Sequence, residues 1–187
     1  TPTTTTTTNL NQGEMMESNS SAGFDRNDYR KENESILYVG IDLGTSRTSV
    51  AASNGVRETL WSYVGYPRDA VARKALGVDR VFGQEAVSRR LALDLYRPLR
   101  HGVIQRRNGE GEDQLDEGEA ERYMQAARDL VDYALSKARP RQDELLYGVI
   151  GAPARASQQN KALLVEAARG TLDAVMVCSE PFAVAYG

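Results

Sequence analysis

Cysteine and histidine are almost absent, with one of each in 187 residues, Cys178 and His101. A single thiol closes no intrachain disulfide, so packing must hold the fold, and the expected setting is a reducing cytoplasm. Cys178 ends the apolar run Ala174–Cys178 and reads as a small core hydrophobe. His101, between Arg100 and Gly102, has no metal-ligand partners near it in sequence and is assigned no role. Charge of one sign is also scarce. A formal net charge of −3 is too small to argue for nucleic acid or an anionic membrane as partner. No apolar run is long enough to span a bilayer, so no membrane insertion is expected. The first residues lack a basic segment followed by an apolar one, so no secretory leader is expected. The first residue is Thr1 rather than Met, which places the expected origin of the chain inside a longer product.

What remains is a composition with 41% hydrophobic and 26% charged residues, that of a globular protein with a sizeable core. Residues 1–33 are a separate regime. Their threonine run, then Asn, Gln, Ser and Gly with scattered charges, offers too little apolar surface to offset the entropy of ordering, so a disordered tail is expected. From Ile36 the pattern turns to β, with strands expected at Ile36–Ile41, Thr48–Ser53 and Glu58–Val64. Asn54-Gly55 between the last two is a strong hairpin signal, because both residues tolerate positive φ. Gln84–Leu93 reads as a helix, and Arg107–Gly118 as an exposed acidic loop whose carboxylates, continuing to Glu121, lack calcium-loop spacing. In Glu119–Ala138 the residues Tyr123, Ala127, Leu130, Val131, Ala134 and Ala138 share one face at helical spacing, and Pro140 stops the helix. Leu145–Ile150 reads as a buried strand, Ser157 as the cap of a helix to Arg169 with Gly170 as its stop, and Ala174–Cys178 as the last strand.

Three meandering strands followed by two strand–helix units call for an α/β fold. The expected form is a ribonuclease-H-like mixed five-stranded sheet with helices on its faces, parallel where the crossovers are right-handed. Residues from about Arg68 to His101 form an excursion between the third strand and the long helix, and are expected to be a small inserted subdomain of the 34–187 domain.

Two places carry candidate chemistry. Ile41-Asp42-Leu43-Gly44-Thr45-Ser46 joins the first two strands. An Asp carboxylate at the end of a buried strand is a hard oxygen ligand for Mg²⁺ or its waters. Gly44 would let the backbone approach closely in unusual dihedrals, and the N–H groups of Gly44, Thr45 and Ser46 would form an anion-binding concavity. The same residues also suit an ordinary hairpin turn, and the hexamer by itself supports either reading. Arg47, next in line, reads equally as a phosphate contact or as a solvent-facing strand residue. Glu180 follows the last strand at its carboxyl end, where ligands of open α/β sheets collect, with Ser179 as the expected cap and Pro181 opening a helix. A first-turn Glu also suits the helix dipole.

The segments Gly40-Ile-Asp-Leu-Gly-Thr-Ser46, Ser62-Tyr-Val-Gly-Tyr-Pro67, Val81-Phe-Gly-Gln-Glu-Ala86, Tyr96-Arg-Pro-Leu99 with Gly102-Val103, Val149-Ile-Gly-Ala-Pro-Ala-Arg-Ala-Ser157, and Ser179-Glu-Pro-Phe182 with Ala185-Tyr-Gly187 occur in this order. Taken together, from about Glu34 onward, they resemble the first domain of the actin–heat-shock-70–sugar-kinase superfamily, and within it the bacterial actins. The Val-Gly-Tyr-Pro and Gly-Ala-Pro-Ala-Arg-Ala-Ser stretches are narrower and are similar to the magnetosome branch. The resemblance implies ATP and Mg²⁺ as ligands, with Mg²⁺ at Asp42, phosphate at Gly44, Thr45 and Ser46, and Glu180 orienting the water that attacks the γ-phosphate. It implies an ATPase that self-associates head-to-tail into cytoskeletal filaments and organises magnetosomes with other magnetosome-associated proteins. A chaperone ATPase of the heat-shock-70 type, a carbohydrate or acetate kinase, and a non-hydrolysing structural homologue are the rival readings of the same fold. The second Asp-Gly-rich phosphate hairpin and the adenosine-binding segment of that family do not occur up to Gly187. The resemblance therefore implies one wall of a two-walled cleft, binding nucleotide weakly or not at all on its own.

Deletion of residues 1–33 is expected to leave thermal stability nearly unchanged, because they carry no apolar periodicity to pack on the domain. A large fall in melting temperature on deletion would show that the tail is part of the fold.

Overall fold

A computed structural model describes residues 35–105 and 117–179. The Thr-rich tail, the acidic stretch up to residue 116, and Glu180 with everything after it lie outside the described residues.

Strand β1, Ser35–Leu43, runs down the centre of a five-stranded sheet. It turns back into β2, Arg47–Ala52, which turns again into β3, Arg57–Trp61, giving an antiparallel meander. The turn from β2 to β3 differs from the expected pair of positive-φ residues. Only Gly55, at φ 92°, is left-handed; the Gly55 N–H donates to the Ala52 carbonyl, and the Ala52 N–H donates to that of Val56. This is a three-residue loop with glycine at its bulge position, another common solution to a right-twisted hairpin. The Asn54 side chain accepts from the Val56 N–H at 3.2 Å within the hairpin and also reaches beyond it. Its amide donates to the Ala138 carbonyl at 2.8 Å, satisfying the end of the long helix.

The chain then leaves the large sheet earlier than expected. Strand β4, Val64–Pro67, belongs to a separate three-stranded sheet in the order β5-β4-β6. Helix α1, Ala70–Leu76, follows β4, capped by Asp69 and stopped by left-handed Gly77. Next come β5, Val81–Phe82, helix α2, Gly83–Ser88, a 3₁₀ turn at Arg90–Ala92, and β6, Leu93–Tyr96. The helix expected over Gln84–Leu93 is thus cut short at Ser88. Leu93 is drawn into β6 because its side chain fills the space over Gly65, where a Cβ would meet Leu93 Cδ1 at 2.7 Å. Leu91, inside the stretch expected to be helical, is 85% exposed.

A short hairpin of β7, Leu99–Arg100, and β8, Val103–Ile104, returns the chain to the body. Helix α3, Glu117–Lys137, leads to β9, Glu144–Ala152, which pairs parallel with β1. Helix α4, Gln158–Ala168, starts at Ser157, whose hydroxyl accepts from the Asn160 N–H, and leads to β10, Ala174–Ser179, parallel with β9. The final sheet order is β10-β9-β1-β2-β3, the mixed five-stranded arrangement read from the sequence.

Both parallel crossovers step the same way across the sheet, so their common handedness lays α3 and α4 on one face. There Leu37, Val39, Ile41 and Leu43 of β1 meet Leu130, Val131 and Leu135 of α3 and Leu164 and Ala168 of α4 in the buried core. Burying each such Leu, Val or Ile contributes about 1.5–3 kcal/mol. Among the described residues no helix covers the opposite face, which carries Tyr38, Asp42, Tyr147 and Met176.

The small sheet is tied to α3 by a polar cluster. Asp129, 2% exposed, accepts from the Tyr66 hydroxyl at 2.7 Å, from the Arg80 guanidinium and from the Gln125 amide at 3.1 Å. These donors satisfy a carboxylate that would otherwise be costly to bury. Phe82 stacks on Tyr133 with ring centroids 4.3 Å apart, adding an apolar contact between the same two parts. Burial, then the hydrogen bond to Asp129 and its charge, push the Tyr66 phenol upward from its ordinary 10.0, while Arg80 pulls the other way.

Folding thus favours the neutral phenol. That stabilisation is complete below about pH 10 and is lost as pH rises past the unfolded-state value. At neutral pH, Tyr66→Phe is expected to lower stability by about 1–3 kcal/mol in denaturant titration, since it leaves a buried acceptor short of one donor. Above about pH 10 the wild-type curve should fall more steeply and converge on the mutant's. Parallel curves across that range would show that the phenol is not coupled to folding.

Candidate functional site

At β1 the period-two alternation that sends Ile41 and Leu43 into the core turns Asp42 out to the open face. Asp42 pairs with Ser49 of β2 on one side and Gly151 of β9 on the other. Ser49 in turn pairs with Thr59 of β3, and Gly151 with Cys178 of β10, so one row of residues crosses the whole sheet. This row lines a groove of about 580 Å³. The Asp42 carboxylate is exposed, and no described residue hydrogen-bonds or ion-pairs with it. Cys178 is corrected from its expected place in the core: Val175 and Val177 take the helix side, and alternation leaves the thiol on the groove side.

The turn beyond Asp42 is built differently from the expected cradle. Gly44 does not have a positive φ. Its N–H is already committed, donating to the Arg47 carbonyl at 3.1 Å, so it is not a free anion donor. Glycine is required because a Cβ at Gly44 would sit 2.4 Å from that same carbonyl oxygen. The N–H groups of Thr45 and Ser46 have no partner among the described residues. Two donors therefore remain in the bend where three were expected.

Three anchors fix that bend. The Ser62 N–H donates to the Ser46 carbonyl at 3.0 Å, and the Ser62 hydroxyl donates to the Gly44 carbonyl at 2.8 Å. Thr48 Oγ1 lies 2.9 Å from Ser62 Oγ, and both side chains are fully buried. A hydroxyl has one proton, and that of Ser62 goes to Gly44, so Thr48 donates to Ser62. On the other side the Gly102 N–H donates to Thr45 Oγ1 at 3.3 Å. Gly102 is left-handed, at φ 71°, and a Cβ there would meet Pro153 Cγ at 2.5 Å. The exposed His101 precedes it at φ 51°, so its contribution to the site is backbone shape. Sequence reasoning missed Ser62 because a serine at the end of a strand carries no pattern of its own. Its role depends on the hairpin bringing it back to Gly44.

Arg47 is settled as well. Its guanidinium stacks over Trp61, 5.1 Å from the ring centroid, rather than turning into the bend. Glu180 lies outside the described residues. Ser179, the residue before it, ends β10 opposite Ala152, one residue beyond the Asp42–Gly151 pair.

No group of three or more His, Cys, Asp and Glu side chains fit to hold a metal occurs among the described residues. A single carboxylate is enough for Mg²⁺, which keeps several waters and is bound through one or two carboxylates together with phosphate oxygens. An unpartnered Asp42 beside two unpartnered N–H groups fits such a group.

No family model matches the chain. The actin-like protein MamK of Magnetospirillum gryphiswaldense is 41% identical over 151 residues, covering 81% of this chain and 39% of the relative. MamK of Paramagnetospirillum magneticum is 40% identical over the same length, covering 81% of this chain and 40% of the relative. Among solved structures, a MamK double helical filament matches with a TM-score of 0.68 at 41% identity, over 80% of this chain and 42% of that one. A non-polymerising MamK mutant bound to AMPPNP matches with a TM-score of 0.69 at 39% identity, over 82% of this chain and 43% of that one. The chain spans about two-fifths of the length of the relatives it matches. With the sheet order already in the arrangement that the sequence implied, a likeness of this extent makes the chain a member of the bacterial actin-like family that includes MamK.

Proposed function

We propose that the gene product carrying this chain binds and hydrolyses ATP with Mg²⁺, polymerises into filaments, and works in the cytoplasm to organise magnetosomes together with magnetosome-associated proteins. The observation that carries the reading is the unpartnered Asp42 carboxylate beside the free Thr45 and Ser46 N–H groups. Two relatives' structures support it: the MamK that binds AMPPNP and the MamK filament. No helix among the described residues is long and apolar enough to cross a membrane.

In this reading Asp42 holds the metal or its waters, and the Thr45 and Ser46 N–H groups donate to phosphate oxygens. Gly44, without a side chain, keeps the turn tight enough to aim those donors. Ser62, Thr48 and Gly102 hold the turn still, so little reorganisation is required when charge develops. Bound Mg²⁺ supplies neutralisation of the phosphate charge. Glu180, next in sequence after Ser179, accepts a hydrogen bond from the attacking water and orients it. A second lobe, carried by the remainder of the gene product, closes the cleft.

In the complete gene product, Asp42→Ala is expected to weaken nucleotide binding and remove its Mg²⁺ dependence. Unchanged affinity and metal dependence would return Asp42 to a plain turn residue. Glu180→Ala should still bind ATP and polymerise, while phosphate release falls by about a hundredfold or more, as when a positioned acid–base group is lost. Filament turnover measured on the same mutant should slow. Phosphate release at the wild-type rate would refute the role of Glu180.

A further inference from the structure

The immediate surroundings of Asp42 on the open face are unusual. Its neighbours two residues away along β1 and its extension are Gly40 and Gly44, and its partner on β9 is Gly151. The fourth neighbour, Ser49 on β2, is the one that presents a side chain. Gly44 is explained by its turn, but neither of the other two glycines is called for by a left-handed backbone. Neither Gly40 nor Gly151 has a positive φ. A Cβ on Gly40 would meet nothing closer than the Ala51 carbonyl oxygen at 3.9 Å, an ordinary contact. Glycine inside a strand weakens it and marks a place where something approaches the backbone closely. Asp42 thus stands in a clearing where three of its four neighbours carry no side chain, with room above Gly40 among the described residues.

The side chain that borders the clearing is not isolated. Ser49 Oγ lies 3.0 Å from Thr59 Oγ1, and both residues line the groove with Asp42. Two hydroxyls hold two protons, and one is spent between them. The other is left to point elsewhere. Paired residues on adjacent antiparallel strands have Cβ atoms about 4.5–5.5 Å apart, yet Ser49 and Asp42 make no hydrogen bond with each other. A carboxylate and a hydroxyl side by side and not bonded leave space for a bridging water.

We propose that the glycine clearing around Asp42 admits a hydrated divalent cation, and that the Ser49–Thr59 hydroxyl pair is its positioning arm, hydrogen-bonding a water of the metal's shell. Ser49 touches the water, and Thr59 orients Ser49. The inference rests on the metal–nucleotide reading of Asp42 and extends it to residues of β2 and β3 that the sequence did not mark.

The test uses the complete gene product with Mn²⁺ as probe metal and AMPPNP as nucleotide, following bound Mn²⁺ by electron paramagnetic resonance and checking each variant's melting temperature. Ser49→Ala is expected to weaken nucleotide-dependent Mn²⁺ binding about fivefold, as for loss of one hydrogen bond. Ser49→Thr should restore it, Thr59→Val should show a smaller loss, and Gly40→Val, which fills the clearing, a larger one. Nucleotide binding without metal should be unchanged in Ser49→Ala. If Asp42→Ala abolishes Mn²⁺ binding while Ser49→Ala and Gly40→Val bind it like the wild type, the arm and clearing are overturned and the Asp42 reading stands. If Asp42→Ala itself binds Mn²⁺ like the wild type, both fall.

Discussion

The register of β1 is the constraint on which everything else depends. With side chains alternating at every residue, Leu37, Val39, Ile41 and Leu43 face the helices while Tyr38, Gly40 and Asp42 face out. A slip by one residue would bury a carboxylate and expose four core side chains. The hydrophobic effect that seats these four residues therefore also aims Asp42 into its groove. Register is held from both sides, by β2 antiparallel and by β9 parallel, so the fold's stability and the site's geometry rest on the same hydrogen-bond ladders.

The bend beyond β1 shows how little of a binding loop's shape lies in the loop. Gly44 closes the turn on Arg47, but Ser62 at the end of β3 and Gly102 in the β7–β8 hairpin hold its flanks. Ser62 sits where the chain passes from the large sheet into the small one. By satisfying its hydroxyl and N–H on the turn, it ends β3 and sends the chain into β4. The position of the small sheet is then set against α3 by the buried Asp129, whose donors come from β4, from the residue before β5 and from α3 itself. The bend and the exit of the chain thus share one set of polar contacts at Ser62, and a second set around Asp129 docks the small sheet on α3.

The sequence by itself determined the elements with strong local signals. Helix α3 was legible because six apolar residues repeat on one face along it, and α4 because Ser157 caps it and Gly170 follows it. The central strands were legible from their apolar runs, and the sheet type from the alternation of strand and helix. Asp42 stood out as a candidate because residue types suited to a metal–phosphate group are contiguous there, while the turn beyond it folds differently from the expected cradle. Helix α1 was missed although Asp69 and Gly77 mark its ends, because its seven residues include no buried one and so show no apolar face.

Only the tertiary structure decided the rest. Whether Leu93 ended a helix or joined a strand depended on the space over Gly65, which no local pattern encodes. Cys178 was misplaced in the core and Arg47 left open by the sequence because the facing of a strand is set by what packs on the sheet: α4 claimed the valines beside Cys178, and Trp61 claimed the guanidinium of Arg47. Ser62, Gly102, Ser49 and Thr59 became part of the site through pairings that span 10 to 57 residues. Contacts at such separation are written in the fold, because a hydroxyl or an N–H carries no sequence signature of the distant group it will satisfy.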